Sequence, residues 1–391
     1  MADWSSLLGD LINRIVDRLL ATDDLDYYMD LRAVCRGWRS STAGPKNDSA
    51  RFRPRQWVML DEVHQSDARL FVNPATGRFV RKDLPVLRRY HLIAGAVGGS
   101  LVLAERSSPH AVCLLNPFTG SLTRFAAAVP SNISVVVAHV IGTGCSPPTL
   151  VLFCDHPDTI HWADPDSESF SSYEDESNGV RQALVGGIYA AARENGTVSS
   201  SLPPPEASKI LTSLVTKQFA GYFSNAAEAA AAEQAENRCF LVESAGEILI
   251  VFKLPHRIEV FKIGDDMSVQ PVQSIGRRAL FVGKCRCLSV DADKFAAVDA
   301  NSVYYVECIS YSYDVRIYSL SEGTELCAGG AIGSLSYFSS NDSAPFSVVQ
   351  LLSCYAYESA FSFSRIRKRF VFKWKKSLSI HTMRNMGTRL P

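Results

Sequence analysis

The sequence predicts a mostly β fold in which a small N-terminal α-helical unit precedes a β-propeller-like domain. Apolar residues recur at helical spacing only in the first part of the chain. Beyond residue 55 the pattern changes to short apolar runs of about five to eight residues, separated by turn residues. A hairpin pattern recurs there at intervals of about 40 to 50 residues, which is typical of propeller blades. A large β-sandwich with coincidentally similar turns is the alternative.

The predicted helical unit covers residues 1–45. In its first helix, apolar residues three and four positions apart form one stripe. The stripe consists of Leu8, Leu11, Ile12, Ile15, Val16, Leu19 and Leu20. Either Asp23 or Asp24 is expected to cap a second helix. The apolar face of that helix is predicted to continue through Leu31, Val34, Cys35 and Trp38. Because helices this short bury too little surface to be stable alone, they must pack on the rest of the chain or on a partner.

The clearest internal repeat is the motif Asn-Pro-x-Thr-Gly, which occurs at residues 73–77 and again at 116–120. Each copy follows one predicted strand and precedes another. Proline fixes φ in such a turn and glycine supplies a positive φ. Weaker versions, also between predicted strands, occur at residues 164–166, 264–266 and 321–323. The repeat therefore predicts a recurring hairpin.

These patterns divide the remainder of the chain into a β-propeller-like domain and a C-terminal extension. The domain is predicted to span residues 55–355 and to carry a surface insertion at about 199–237, rich first in serine and proline and then in alanine and glutamate. Residues 356–391 form a basic extension. Its segment 365–376 contains seven lysines and arginines. That segment suggests a nuclear address or a nucleic-acid-binding strand, with a charged edge strand or tail as the simpler alternative.

Composition and motifs favour a binding protein over an enzyme. The 40 basic and 40 acidic residues give no net charge that would favour nucleic acid or an anionic membrane. Segment 154–166 is rich in Cys, His and Asp but lacks the spacing of a metal site, and Cys285 and Cys287 are expected to be packing residues. No nucleophile motif or phosphate-binding loop is found. We therefore predict no catalytic residue, cofactor or metal, and a location in the cytosol or nucleus.

Residues 4–42 resemble an F-box, a motif with a leucine-rich first helix and a closing Val-Cys-x-x-Trp-Arg element, here at residues 34–39. The Leu-Pro pair that usually opens the motif is replaced by Leu7-Leu8 or Leu8-Gly9. The rest of the chain is similar to a plant family in which an F-box precedes a KIB-type β-propeller. The matching segments are 98–120, 240–253, 277–307, 315–324 and 344–352. Residues 356–391 extend beyond the point at which this family tends to end.

The resemblance implies a substrate receptor of a Skp–cullin–F-box ubiquitin ligase, with the Skp adaptor on the helical unit and a target protein on the propeller. The adaptor-binding residues it implies are Leu7, Leu8, Leu11, Ile12, Ile15, Leu19, Leu31, Val34, Cys35 and Trp38. Cys35 is expected to pack, not to react, and Trp38 to close the unit over Leu25. No membrane or nucleic-acid partner is expected. The alternatives are a propeller that binds or hydrolyses a small ligand, and a nuclear nucleic-acid binder acting through the basic extension.

Overall fold

A computed structural model describes the following residues: 7–45, 51–60, 67–96, 98–130, 135–141, 147–154, 159–174, 179–184, 187–192, 198–201, 209–210, 239–254, 257–264, 269–283, 286–309, 312–330 and 347–357. These residues form an N-terminal group of helices and six β-sheets, which confirms the mostly β prediction. The chain divides into two compact units, residues 1–175 and residues 176–391.

The first unit begins with three helices. They are α1 (Gly9–Ala21), α2 (Leu25–Val34) and α3 (Arg36–Ser41). The helical spacing in the sequence therefore predicted the type of structure correctly. The expectation that the second helix continues beyond residue 34 is wrong, because Cys35 has an extended backbone with φ −156° and ψ 169°.

Cys35 separates α2 from α3 because its side chain caps the third helix. Its Sγ accepts a hydrogen bond from the backbone N of Trp38 at 3.4 Å, the role that a serine or threonine often has at this position. The Arg32 guanidinium holds the end of α3 by donating to the carbonyls of Thr42 and Ala43, each at 2.7 Å. Val34 and Trp38 therefore lie on different helices.

Three antiparallel sheets complete the first unit. The first contains β1 (Val58–Met59), β2 (Ala68–Asn73) and β3 (Arg78–Asp83). The second contains β4 (Tyr90–Gly95), β5 (Leu101–Glu105), β6 (Ala111–Leu115) and β7 (Leu122–Ala128). The third contains β8 (Val135–Ile141), β9 (Thr149–Cys154), β10 (Thr159–Ala163) and β11 (Ser171–Glu174). Strands adjacent in sequence pair in each sheet, so every connection is local.

The described residues of the second unit also form three sheets. The first two of these sheets are antiparallel. One contains β12 (Gly179–Leu184), β13 (Gly187–Ala192), β14 (Val198–Ser201) and β15 (Lys209–Ile210). The other contains β16 (Cys239–Ser244), β17 (Glu247–Lys253), β18 (Ile258–Ile263) and β19 (Val269–Val272). The last contains β20 (Arg278–Val282), β21 (Cys287–Asp291), β22 (Ser302–Ile309), β23 (Ser312–Ser319) and β24 (Thr324–Gly330). Its order is β21-β20-β22-β23-β24, with β20 parallel to β22.

A fourth helix, α4 (Val348–Tyr357), packs on the last sheet. The backbone N of Arg286 donates to the carbonyl of Ala356 at 3.0 Å. A side chain at Gly283 would lie 2.4 Å from the backbone of Ala356, so the close approach of helix and sheet requires glycine there. The first two residues of the predicted C-terminal extension, 356 and 357, are thus the last of α4, and the rest of it lies outside the described residues.

The repeated Asn-Pro-x-Thr-Gly motif forms the same turn in both copies, as predicted. Asn73 Oδ1 accepts hydrogen bonds from the backbone N atoms of residues 75 and 76, and Asn116 Oδ1 accepts from those of residues 118 and 119. Gly77 and Gly120 close the turns with φ values of 68° and 70°. The two turns connect β2 to β3 and β6 to β7, the last hairpin of each sheet.

The predicted insertion at 199–237 is described only in part. Residues 199–201 belong to β14 and residues 209–210 form β15, so both lie in a sheet. The remainder of the predicted insertion lies outside the described residues. The boundaries of the insertion stay a prediction.

Candidate partner-binding surface

The apolar stripe of α1 is divided lengthwise into an exposed and a buried half. Leu8, Leu11 and Ile15 are 72%, 42% and 43% exposed. Ile12 and Val16, each one position further along the chain than an exposed residue, are 1% and 3% exposed. Residues at i, i+3 and i+7 share one edge of a helix, and a one-residue step turns the side chain by about 100°. We call Leu8, Leu11 and Ile15 the exposed stripe.

The other residues that are expected to bind the adaptor differ in their exposure to solvent. Val34 is 59% exposed and Leu31 is buried. The half-buried residues are Leu7, Leu19, Cys35 and Trp38. Trp38 packs against the apolar cluster that contains Leu25, in line with the expected closure. Of the ten residues, Leu8, Leu11, Ile15 and Val34 are therefore accessible, whereas Ile12 and Leu31 stabilise the fold around them.

The buried half of α1 belongs to a hydrophobic core that the helices share with the first two sheets. The buried members of this core include Ile12, Val16, Leu25, Tyr28, Phe52, Trp57, Phe71, Leu101, Leu103 and Phe118. The aromatic rings form contacts along it: the ring centroids of Tyr28 and Phe52 are 4.9 Å apart, and those of Trp57 and Phe118 are 4.7 Å apart. The in-chain partner of the helices is thus the first two sheets.

Asp23, between α1 and α2, binds the segment that leads into the first sheet. Its Oδ2 accepts hydrogen bonds from the backbone N atoms of Arg55 at 2.8 Å and Gln56 at 2.7 Å, and its carbonyl accepts one from Trp57 Nε1 at 2.8 Å. Burial raises the pKa of Asp23 to about 6, although the two backbone donors oppose that shift. The Asp23 carboxylate therefore fixes the backbone of this linker, residues 51–57, although its own burial costs desolvation free energy.

Two further aspartates pair with basic residues of β3. Arg78 pairs with Asp24 and, at 2.7 Å, with Asp26, and Lys82 also pairs with Asp26. The Arg78 guanidinium carbon lies 3.4 Å from the ring centroid of Tyr27, a cation–π contact. We call the four paired residues, Asp24, Asp26, Arg78 and Lys82, the β3 joint.

The β3 joint also corrects the expected cap. Asp24 is the N-cap residue of α2, but its side chain makes no capping hydrogen bond and pairs with Arg78 instead. Desolvation raises the pKa of Asp24, and the charge of Arg78 opposes this. This pairing could not be predicted from local sequence patterns, because the partners are more than 50 residues apart along the chain.

The helices, the recurring hairpins and the sheets define a helical segment followed by a β-propeller. The family model described as the KIB1-4 β-propeller matches residues 53–319. The chain therefore belongs to the KIB1-4 β-propeller family, and the resemblance to plant proteins with an F-box and this propeller is confirmed.

Sequence similarity to a curated relative is local. A stretch of 63 residues is 44% identical to the Arabidopsis thaliana protein named "Putative F-box protein At1g65770". It covers 16% of this chain and 16% of that protein, so the match spans about a sixth of the relative's length.

Two solved structures are also similar. The fission yeast SREBP–SCAP binding domains are 11% identical with a TM-score of 0.35, over 67% of this chain and 72% of that chain. YCF48 from Cyanidioschyzon merolae is 10% identical with a TM-score of 0.32, over 70% of this chain and 74% of that chain.

Within the described segments, no group of three or more His, Cys, Asp and Glu side chains is arranged to hold a metal ion. Residues 155–158 and Cys285 lie outside the residues that the structure describes. They belong to segment 154–166 and to the Cys285–Cys287 pair, which the sequence offers as candidate sites. None of the helices in the described ranges has the length and hydropathy of a membrane-spanning helix.

Proposed function

We propose that this protein is the substrate-recognition subunit of a Skp–cullin–F-box ubiquitin ligase. The observation that carries the proposal is the exposed stripe of α1: three large aliphatic side chains on a helix whose neighbouring apolar residues, Ile12 and Val16, are buried. Exposed apolar groups arranged on one helix face are typical of a partner-binding surface. The F-box resemblance of residues 4–42 and membership of the KIB1-4 β-propeller family support the Skp adaptor as the partner.

The adaptor is proposed to cover Leu8, Leu11 and Ile15, with Val34 at the end of α2 as a further contact. Complete burial of these side chains would contribute several kcal/mol, on the order of 1 to 2 kcal/mol for each because they are already partly covered. Ile12 and Leu31 contribute indirectly, since their packing against the first unit holds the helices in place.

The propeller is proposed to bind the target protein, and the adaptor to connect the receptor to a cullin. In this function the receptor needs no catalytic group. It raises the effective concentration of the target's lysines near the ubiquitin-conjugating enzyme, which makes the transfer effectively intramolecular. The proposed location is the cytosol or nucleus, where such ligases operate.

A binding experiment with the purified Skp adaptor tests the proposal. The full chain is compared with the variant Leu11→Asp plus Ile15→Asp, which places two charges on the exposed stripe. We expect affinity to fall roughly a hundredfold or more, because the charges would have to be desolvated in an apolar interface. Far-UV circular dichroism shows whether the variant remains folded.

The matched control is Leu326→Asp, because Leu326 is also an exposed aliphatic residue, at 64%, but lies in β24 outside the helical unit. It should bind the adaptor like the wild type. Equal binding by all three proteins, or no binding by the wild type, would reject the proposed function.

A further inference from the structure

The charges of the helical unit are nearly balanced in sequence but not at its surface. Residues 7–45 contain six aspartates, which are Asp10, Asp17, Asp23, Asp24, Asp26 and Asp30. They also contain five arginines, which are Arg14, Arg18, Arg32, Arg36 and Arg39. The aspartates and the arginines make different contacts in the folded protein.

Four of the six aspartates interact with the rest of the first unit. Asp24 and Asp26 belong to the β3 joint, and Asp23 accepts the backbone donors of the linker. Asp17 pairs with Arg51 at 3.0 Å, at the surface. Only Asp10 and Asp30 remain as exposed acidic groups of the helices without an ion pair to another described residue.

Four of the five arginines are exposed, and Arg32 is half-buried. Arg32 and Arg39 donate to backbone carbonyls, which leaves their positive charge uncompensated. Arg14, Arg18 and Arg36 are exposed and make no ion pair within the part of the chain that the structure describes. The attachment of the helices to the first sheet therefore removes negative charge and leaves a basic outer surface.

Two of these arginines flank the exposed stripe. Arg14 follows Leu11 by three positions, and Arg18 follows Ile15 by three, so both lie beside the stripe on the same side of α1. Their long side chains can extend along an apolar contact while the guanidinium groups reach its rim. The surface offered to a partner is thus an aliphatic strip with a basic border.

We infer that the partner of α1 is a protein with an apolar groove whose rim carries acidic side chains opposite Arg14 and Arg18. The inference rests on the proposed function and adds the chemistry of the adaptor's binding face. Charges at the rim of an interface mainly accelerate association and make it sensitive to salt, whereas the apolar centre determines how slowly the complex dissociates. Arg14 and Arg18 thereby acquire a role in selecting the partner.

The test measures association and dissociation rates of the purified Skp adaptor with the full chain at low and high ionic strength. The variant is Arg14→Glu plus Arg18→Glu. Its matched control, Arg89→Glu plus Arg106→Glu, changes the net charge equally at two exposed arginines outside the helices. Circular dichroism and thermal unfolding verify that each variant is folded.

We expect the helix variant to associate roughly tenfold or more slowly at low salt, with a smaller change in dissociation, and to lose most of the salt dependence. The control should behave like the wild type. If both double variants bind as the wild type does, the acidic rim is rejected and the proposed function stands. If the wild type itself does not bind, the proposed function fails and the inference fails with it.

Discussion

Both halves of the α1 stripe consist of aliphatic residues, but one half is exposed and the other is buried. Ile12 and Val16 belong to the same core as Phe52 and Trp57, whereas Leu8, Leu11 and Ile15 are exposed. A helix that packed only for stability would turn its apolar residues inward as one face. The buried half of the stripe therefore stabilises the fold, and the exposed half is the surface that we propose binds a partner.

Truncation of the two isoleucines should separate these roles most clearly. Ile12→Ala removes a fully buried side chain and should lower the free energy of unfolding of the first unit by about 3 kcal/mol. Ile15→Ala, on the exposed half, should cost less than about 1 kcal/mol. Urea unfolding of the full chain measures both. Similar losses for the two variants would show that the halves do not differ.

The buried carboxylate of Asp23 should make the attachment of the helices depend on pH. Its pKa is raised from 3.8 to about 6 in the folded protein, so the folded state binds more protons than the unfolded state between these values. The contribution of Asp23 to the free energy of unfolding therefore decreases by up to about 3 kcal/mol as pH rises from about 4 to about 6.

Comparison with Asp23→Asn isolates that effect. Burial lowers the pKa of His139 to about 4, and this histidine contributes the opposite slope over nearly the same range, so wild-type curves alone are not decisive. As pH rises to about 6, the free energy of unfolding of Asp23→Asn should increase relative to that of the wild type. Above that pH the difference should remain constant. A pH-independent difference would contradict the assignment.

The β3 joint should give the smallest of the three effects. Arg78→Ala removes a positive charge that pairs with the largely buried carboxylates of Asp24 and Asp26. The free energy of unfolding should fall by about 2 kcal/mol. Arg81→Ala is the matched control, because Arg81 is an exposed basic residue of the same strand and should change stability by less than about 0.5 kcal/mol. Hydrogen exchange should show faster opening of α1 and α2 in the Arg78 variant alone.

The fold was largely predictable from the sequence because its signals are local. Helical spacing, apolar runs and the Asn-Pro-x-Thr-Gly turns each involve residues a few positions apart, and both copies of the turn have the expected positive φ at glycine. The break at Cys35 was missed, since continuing apolar spacing does not reveal a sulfur cap. Resemblance was needed to assign residues to a partner.

The division of the α1 stripe could not be predicted for a different reason. Helical periodicity shows which side chains share a face, but the choice between core and surface depends on contacts with residues such as Trp57 and Phe118, far along the chain. The same holds for the β3 joint and for the basic border it leaves. These features depend on tertiary packing, which spacing along the sequence does not encode.

The helices are expected to fold as one unit with the first two sheets and thereby to hold the exposed stripe in place. Hydrogen exchange of the full chain under native conditions tests it most directly. If the helices and these sheets unfold together, the slowest amides of α1 and α2 open with the same free energy as those of β2 and β5, and both respond alike to urea. Helices that open at a much lower free energy than these strands would contradict it.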